Sequence, residues 1–582
     1  MMRMIKMLAL FLFMPLALAE DIERKPNVVI FLSDDQGWGD FSHTGNPILK
    51  TPNIDSLAKD GVFLKHFYVQ PVCSPTRAEM LTGRWFSRLG VYSTSRGGER
   101  MNVGEKTIAD HFKAAGYTTG AFGKWHNGTQ WPYHPNARGF DEFYGFASGH
   151  WGYYFSPMLE HNSRIVKGDG YVIDDFTTKA IEFIEANKEK PFLCYLPYCT
   201  PHSPMQVPEK YWQRFKDKKV EQNNQKPEAL GHTRAALAMV ENIDWNVGRV
   251  LKALDRLMLA DDTIVLYFND NGPNGHRWNG GLRGIKGNID EGGVRSPLFV
   301  RYPAKFKKGH VVEEISGAVD LLPTLADVCG VKLKDGKPVD GWSLKPLLMG
   351  EEVKWKSRFI FNKWGRGGTS VRSQTHRLDG KGRLYDMIKD PGQTNDISRL
   401  QPELTQELIA ARDQWLKDVT VPRLDRPFIV GYPGSKLTHL PARDAKHTKG
   451  IKRSSVHPNC SYLLGWTSTK DKITYDVEVA ETGQYELILY YTCRPEDVGC
   501  EIQFKSGESI ISTIIREAHN PPIQGKKENK VYKRESFVKD FKPHSMGRLG
   551  LAEGKQQFEL SALEIPGEKA IEFRLLILKK VN

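Results

Sequence analysis

The chain predicts an α/β fold: a mixed, mostly parallel sheet flanked by helices, then a small α+β subdomain and an appended β-sandwich. Three observations predict it. Apolar runs without polar alternation, such as Asn27-Val28-Val29-Ile30-Phe31-Leu32 and Thr263-Ile264-Val265-Leu266-Tyr267-Phe268, read as strands buried on both faces. Helical patterns separate such runs through the first two thirds of the chain, as in a parallel sheet with crossover helices. Beyond about residue 425 the pattern changes to strands at hairpin spacing, in 472–479, 485–491, 557–560 and 570–578, which predicts the sandwich.

With 582 residues the chain is too long for one core, and its expected parts are 1–19, 20–350, 351–424 and 425–582. The first part carries Arg3 and Lys6, an apolar run from Met7 to Met14, and the small-residue ending Ala17-Leu18-Ala19. It reads as a signal peptide, since the run is too short to span a bilayer and no later segment is long enough for a transmembrane helix. An exported protein, periplasmic or secreted, is therefore expected. Export permits disulfides among the seven cysteines, and Cys493 and Cys500 are close enough in sequence to staple a hairpin. The formal charge of +13 suits an enzyme working on polyanions. Nucleic acid is not expected as a partner, because zinc-finger spacing, an RNP-like segment and a basic helix interleaved with aromatics are all missing from the sequence.

The elements, taken in order, place chemistry just past strand ends. The first run ends in Ser33-Asp34-Asp35-Gln36-Gly37. Next comes Cys73-Ser74-Pro75-Thr76-Arg77, continued by Leu81-Thr82-Gly83-Arg84. Ser74 is a good N-cap and Pro75 a good first helical residue, so a helix over Thr76–Leu81 is expected, its positive end facing Cys73. Such an end binds anions, and Arg77 adds a fixed charge one turn in. Left unmodified, Cys73 would be a cysteine whose thiolate these same features favour.

The run 117–122 leads to Gly123-Lys124-Trp125-His126, and 191–196 leads to Pro201-His202-Ser203-Pro204. Between them Gly145–Phe155, with His150 and Trp151, is rich in aromatics, as sugar-binding clefts often are; a half-buried loop packing its rings is the other reading. The run 263–268 ends in Asn269-Asp270-Asn271-Gly272. Ligands of open α/β sheets bind outside the carboxyl ends of the strands, so these side chains should meet in one cleft. There Asp34, Asp35 and Asp270 would repel one another unless a cation sat between them. With the Asn271 carbonyl they form an all-oxygen set that favours Ca²⁺ or, less so, Mg²⁺.

The complete Cys-x-Pro-x-Arg…Leu-Thr-Gly-Arg pattern resembles the signature of type I, formylglycine-dependent sulfatases of the alkaline phosphatase superfamily, and the resemblance runs over about residues 25–420. It extends to Gly123-Lys124-Trp125-His126, to Pro201-His202-Ser203-Pro204, to Leu282–Gly287 with Glu291–Pro297, and to Leu384-Tyr385-Asp386-Met387 with Asp390-Pro391. Small departures are Asn269, where serine is usual, and Asn127, where an apolar residue is usual.

The resemblance implies an alkaline-phosphatase-like fold and a maturation enzyme that oxidises Cys73 to formylglycine. It also implies calcium held by Asp34, Asp35, Asp270, Asn271 and the modified Cys73. One hydroxyl of the formylglycine hydrate would attack sulfur. Arg77 and Lys124 would hold the diol, and Lys124, Lys286 and the metal would clamp the sulfate. His202 would protonate the leaving oxygen, and His126 would take the proton whose loss expels sulfate. His150, His276, Trp278 and Arg283 are candidate substrate contacts from their nearness in sequence to these segments. The expected substrate is a sulfated polysaccharide or oligosaccharide. A phosphate or phosphonate monoesterase of the same superfamily, or an inactive sulfated-glycan-binding protein, remain the alternatives.

Overall fold

The structure, a computed structural model, describes residues 25–221, 227–424, 426–532 and 537–581. The expected signal peptide lies outside the described residues. Eleven strands form the main sheet: β1 (Asn27–Ser33), β2 (Val62–Tyr68), β3 (Thr118–Lys124), β4 (Glu142–Phe146), β5 (Met158–His161), β6 (Arg164–Lys167), β7 (Phe192–Pro197), β8 (Thr263–Asn269), β9 (Arg295–Arg301), β10 (His310–Val312) and β11 (Ser316–Gly317). Their order is β10-β2-β9-β8-β1-β7-β3-β4-β5-β6, with β11 also on β2.

At the centre β8, β1, β7 and β3 pair in parallel. Antiparallel β9 lies between β8 and β2, so β2 runs the same way as β8. These five strands, together with β4, parallel to β3, and β10 and β11, parallel to β2, therefore run toward one edge of the sheet, and β9 begins there.

Burial on both faces explains the unbroken apolar runs. Val28, Ile30 and Leu32 of β1 face a core shared with Ala78 and Leu81, whereas Val29 and Phe31 face one shared with Phe176, Ile243 and Val247. The first core is covered by a helix over Cys73–Thr82 and the second by helices over Val172–Ala186 and Pro227–Arg256. Each such apolar side chain contributes about 1.5–3 kcal/mol on full burial.

A four-stranded antiparallel sheet over Ile360–Asp386 and a helix over Pro402–Val419 follow. They are tied to the main sheet at Glu291, which is buried against Arg377 at 2.9 Å and accepts from Tyr68 Oη at 2.8 Å. Residues 428–581 form two six-stranded sheets. The inward side chains of both, among them Tyr475, Val477, Leu487, Leu489, Phe558 and Leu576, share one core, so the two make a sandwich.

This sandwich packs onto the body that carries the main sheet. Ser148 Oγ donates to the Asn459 carbonyl at 2.6 Å, Arg443 Nη1 donates to Ser148 Oγ at 2.9 Å, and Arg443 Nη2 bonds Glu99. All seven cysteines are buried free thiols, so Cys493 and Cys500 are not bridged as the hairpin staple allowed, and Cys493 Sγ donates to the Arg494 carbonyl at 3.5 Å. Among the described residues no helix is long and apolar enough to cross a membrane.

Candidate active site

The parallel strands bring the chemistry together. Across β8, β1, β7 and β3 the edge carries Asp270 and Asn271, then Asp34 and Asp35, then His202, then Lys124 and His126. The loops are cross-tied: Asp34 N donates to the Thr200 carbonyl at 3.1 Å and Asp270 N to the Ser33 carbonyl at 3.0 Å. Cys73 arrives on the chain leaving β2, and Lys286 on the chain entering β9.

The helix carrying Cys73 differs from the expectation in its start. It spans Cys73–Thr82, with Val72 as N-cap and no side-chain cap, so Cys73 is itself the first helical residue. Ser74 does not cap because its hydroxyl points elsewhere: it donates to the Glu99 carbonyl at 3.4 Å and accepts from Asn127 Nδ2 at 3.2 Å. Asn127, a departure from the family pattern, thus secures the residue next to Cys73. Burial pushes the Cys73 thiol up to about 12, against the pull of Lys124 and Lys286. An unmodified cysteine here is protonated at neutral pH and a poor nucleophile, whatever its helix end offers.

Around Cys73 the charges alternate at short range. Lys124 Nζ lies 2.6 Å from Asp34 Oδ2, and Lys286 Nζ lies 2.6 Å from Asp35 Oδ1. Arg77 Nη2 donates to Asp270 Oδ2 at 2.8 Å, Arg77 Nη1 donates to the Lys124 carbonyl at 2.9 Å, and Asn271 Nδ2 donates to Asp35 Oδ1 at 2.9 Å. Burial raises Asp34, but Lys124, His202, Arg77 and Lys286 together hold it well below the usual carboxylate range. Burial and then Asp34 push Asp270 up to about 7, despite Arg77.

The ligand atoms of Asp34, Cys73 and Asp270 lie within 4.8 Å of one another, and so do those of Asp34, Asp35 and His202. Asp34 Oδ1, Asp35 Oδ2 and Asn271 Oδ1 are buried with no hydrogen-bond partner. Three orphaned buried oxygens on the loops that hold the clustered Asp34, Asp35 and Asp270 fit a hard divalent cation.

Both histidines rest neutral. His126, in the left-handed region at φ 69°, places Nε2 at 2.8 Å from the Thr94 carbonyl, which assigns the proton to Nε2 and leaves buried Nδ1 unpartnered as a base. Burial, then Lys124, lower its pKa well below the ordinary value. His202 Nδ1 lies 2.8 Å from the Ser203 carbonyl and 3.1 Å from His150 Nδ1, and its Nε2 is 3.7 Å from Asp35 Oδ2. Burial, then Lys286, lower its pKa against Asp35 and Asp34.

The remaining sequence candidates divide. His150 is in the site through His202. Arg283 donates to the Gln393 carbonyl at 2.6 Å and to Asp290 at 2.7 Å, joining the small sheet rather than the cleft. Trp278 packs against Gly39 and Gly45, and His276 is exposed. Trp151 stacks on Phe146 at 5.1 Å and has the Arg574 guanidinium 5.3 Å from its ring, so this half-buried ring is packed by its neighbours.

Three neighbours carried no motif. Arg277, paired with Asp40 at 2.6 Å, donates to the Asp35 carbonyl at 2.7 Å and so fixes the acidic loop. His232, from the long helix, lies in the field of Arg277, Asp35 and His202, and burial brings its pKa down to about 4. Gly149 approaches His126 so closely that a Cβ there would sit 2.0 Å from Nε2.

Residues 26–331 match the sulfatase family profile, and residues 286–419 match the profile of the N-sulphoglucosamine sulphohydrolase C-terminal region. The chain belongs to the sulfatase family. The sulfatase is 30% identical to mouse steryl-sulfatase over 438 residues, 58% of this chain and 67% of that relative. It is 28% identical to mouse N-acetylgalactosamine-6-sulfatase over 390 residues, 60% and 71% of the two chains. Its structure resembles that of Ps i-CgsB in complex with k-i-k-neocarrahexaose, with a TM-score of 0.63 and 29% identity over 67% of this chain and 93% of that one. Its fold also resembles a structure bound to D-glucosamine-2-N,6-O-disulfate, with a TM-score of 0.57 and 22% identity over 68% and 98%. As a sulfatase it is a sulfuric ester hydrolase.

Proposed function

We propose that this sulfatase is exported and hydrolyses a sulfate ester of a sulfated carbohydrate, with Cys73 oxidised to formylglycine by a maturation enzyme and calcium bound by Asp34, Asp35, Asp270 and Asn271. The observation that carries the reading is the packing of Asp34, Cys73 and Asp270 within 4.8 Å at a helix end, ringed by Arg77, Lys124 and Lys286. Hydrated formylglycine supplies an oxygen nucleophile there, and a bound calcium supplies charge for the sulfate oxygens. Lys286, partly open to the cleft, and Lys124 bind and orient the sulfate. Arg77 pairs with Asp270 and holds it in place.

His126 Nδ1 is the base that takes the proton from the remaining hydroxyl. His202 Nε2 is the acid for the leaving oxygen; it rests neutral, and an anionic ester beside it favours its protonated form. A carbohydrate substrate is supported by the relatives and neighbours described above as acting on N-acetylgalactosamine sulfate or binding a neocarrahexaose.

The test has three parts. Peptide mass spectrometry of active protein should find an aldehyde at position 73, and Cys73→Ala should abolish turnover. Side by side, sulfate esters should be cleaved far faster than matched phosphate esters; the reverse preference overturns the assignment in favour of a phosphate monoesterase. Turnover of small aryl sulfates alone, with none on a broad panel of sulfated oligosaccharides, overturns the substrate class.

A further inference from the structure

A second basic site lies at the seam between the catalytic body and the sandwich. It is a cavity of about 450 Å³ lined by Arg96 and Arg100 from one side and by Arg443, Lys446, His447 and Arg453 from the other, with Asp444 as its acidic member. That volume is in the range of small-ligand pockets. The Asp444 carboxylate is taken up by Arg443, whose Nε it accepts from at 3.1 Å, and Arg443 also binds Glu99. Lys446 pairs at the exposed surface with Asp476, so the cationic excess left on the rim is that of Arg96, Arg100 and Arg453, which Asp444, taken up by Arg443, does not neutralise from beneath.

The rim is built. Arg453 Nη1 lies 3.0 Å from His447 Nε2 and its Nη2 donates to the Ala445 carbonyl at 2.6 Å. The Arg100 guanidinium sits over the Phe428 ring at 4.5 Å and donates to the Arg426 carbonyl at 2.7 Å. Arg96 is exposed and has φ 55°, a left-handed conformation that costs a residue with a Cβ about 1–2 kcal/mol. Arg96 faces Arg453 closely enough that burial and this like charge hold the Arg453 guanidinium below its ordinary pKa. Like charges gathered at such cost in a concave site mark a place for an anion.

The cavity is also close to the reaction. Thr94, whose carbonyl lies 2.8 Å from His126 Nε2, is two residues before Arg96. Chain geometry alone puts Arg96 within on the order of 10 Å of that contact.

We propose that this cavity is a second anion subsite, binding a further sulfate or carboxylate group on the same saccharide chain whose sulfate ester is placed at Cys73. The inference rests on the reading of the protein as a carbohydrate sulfatase. It makes the sandwich part of substrate selection, because four of the six basic side chains lining the cavity come from it. A substrate with one anionic group would fill only the Cys73 site; a polyanionic chain would fill both.

The test is a binding titration of Cys73→Ala protein with two tetrasaccharides, a galactan and a glycosaminoglycan, each carrying several sulfates, and with their singly sulfated counterparts. The expected result for at least one tetrasaccharide is a Kd tenfold or more weaker after adding Arg96→Ala or Lys446→Ala, a larger loss with Arg96→Glu, and less than twofold change for the singly sulfated form. Equal loss on both forms, less than twofold loss on the multiply sulfated ones, or no binding of either tetrasaccharide overturns the subsite. Arg96 and Lys446 are exposed, so folding is checked by an unchanged Tm. Sulfate release from the singly sulfated saccharides by Arg96→Ala with Cys73 intact tests the sulfatase reading separately: loss of the subsite leaves it within twofold of wild type, whereas no sulfate release by wild type from any of the four saccharides removes the reading beneath it.

Discussion

Arg77 and Asp270 form a fully buried ion pair, with Nη2 at 2.8 Å and Nε at 3.2 Å from the same carboxylate oxygen. The pair locks the helix that begins at Cys73 to the end of β8, and so fixes the nucleophile position relative to the acidic cluster.

Replacing Arg77 tests that lock. Arg77→Ala leaves Asp270 buried without its partner, and a loss of about 3–5 kcal/mol in stability is expected. Arg77→Lys keeps the charge but loses the planar fork and the bond to the Lys124 carbonyl. It should fold and lose at least a hundredfold in kcat. Urea denaturation and steady-state kinetics check both; an Arg77→Lys protein with near-normal kcat would show that the fork is dispensable.

Calcium should stabilise as well as activate. At a hundredfold excess over its Kd a ligand specific to the folded state adds about 2.7 kcal/mol. Chelation should therefore lower Tm by several degrees and abolish turnover, and calcium should restore both better than magnesium. Asp34→Asn should be insensitive to either treatment. A Tm unmoved by chelator and by added calcium would remove the metal from the reading.

Glu291 makes stability depend on acid. Burial opposes its ionisation, but Arg377, Arg372 and Arg295 hold the carboxyl at about 2, below its unfolded value near 4.5. Since the folded pKa is depressed, the contribution is present above about pH 4.5 and is lost as pH falls toward 2. The shift corresponds to on the order of 3 kcal/mol. Glu291→Gln should thus be less stable than wild type at pH 7, with the gap narrowing below pH 4.5, as read from urea midpoints across that range.

Gly149→Ala should damage catalysis without unfolding the protein. The added Cβ meets His126 Nε2 at 2.0 Å and must displace either the ring or the loop that carries His150. A displacement of about 1 Å in such a site costs up to about a hundredfold. A drop in kcat of tenfold or more is expected, with unchanged circular dichroism; wild-type kcat would show that the loop yields freely.

The sequence by itself determined the fold class and the cluster at the sheet edge. Buried parallel strands announce themselves as unbroken apolar runs, and parallel strands end on one edge, so Asp34, Lys124, His202 and Asp270, each just past such a run, had to meet. The motif around Cys73 is equally local. Tertiary structure decided what depends on distant partners. The helix starts at Cys73 and not after Ser74, because Glu99 and Asn127 compete for the Ser74 hydroxyl. Trp151 is covered by Arg574, and Arg283 is drawn to Gln393, because packing gives those side chains neighbours that their local sequence does not name. Arg96 and Arg453, far apart along the chain and without periodicity, share one cavity only because the sandwich docks where it does. Local patterns encode backbone direction and burial; which remote side chain meets which is set by the summed packing of the whole core.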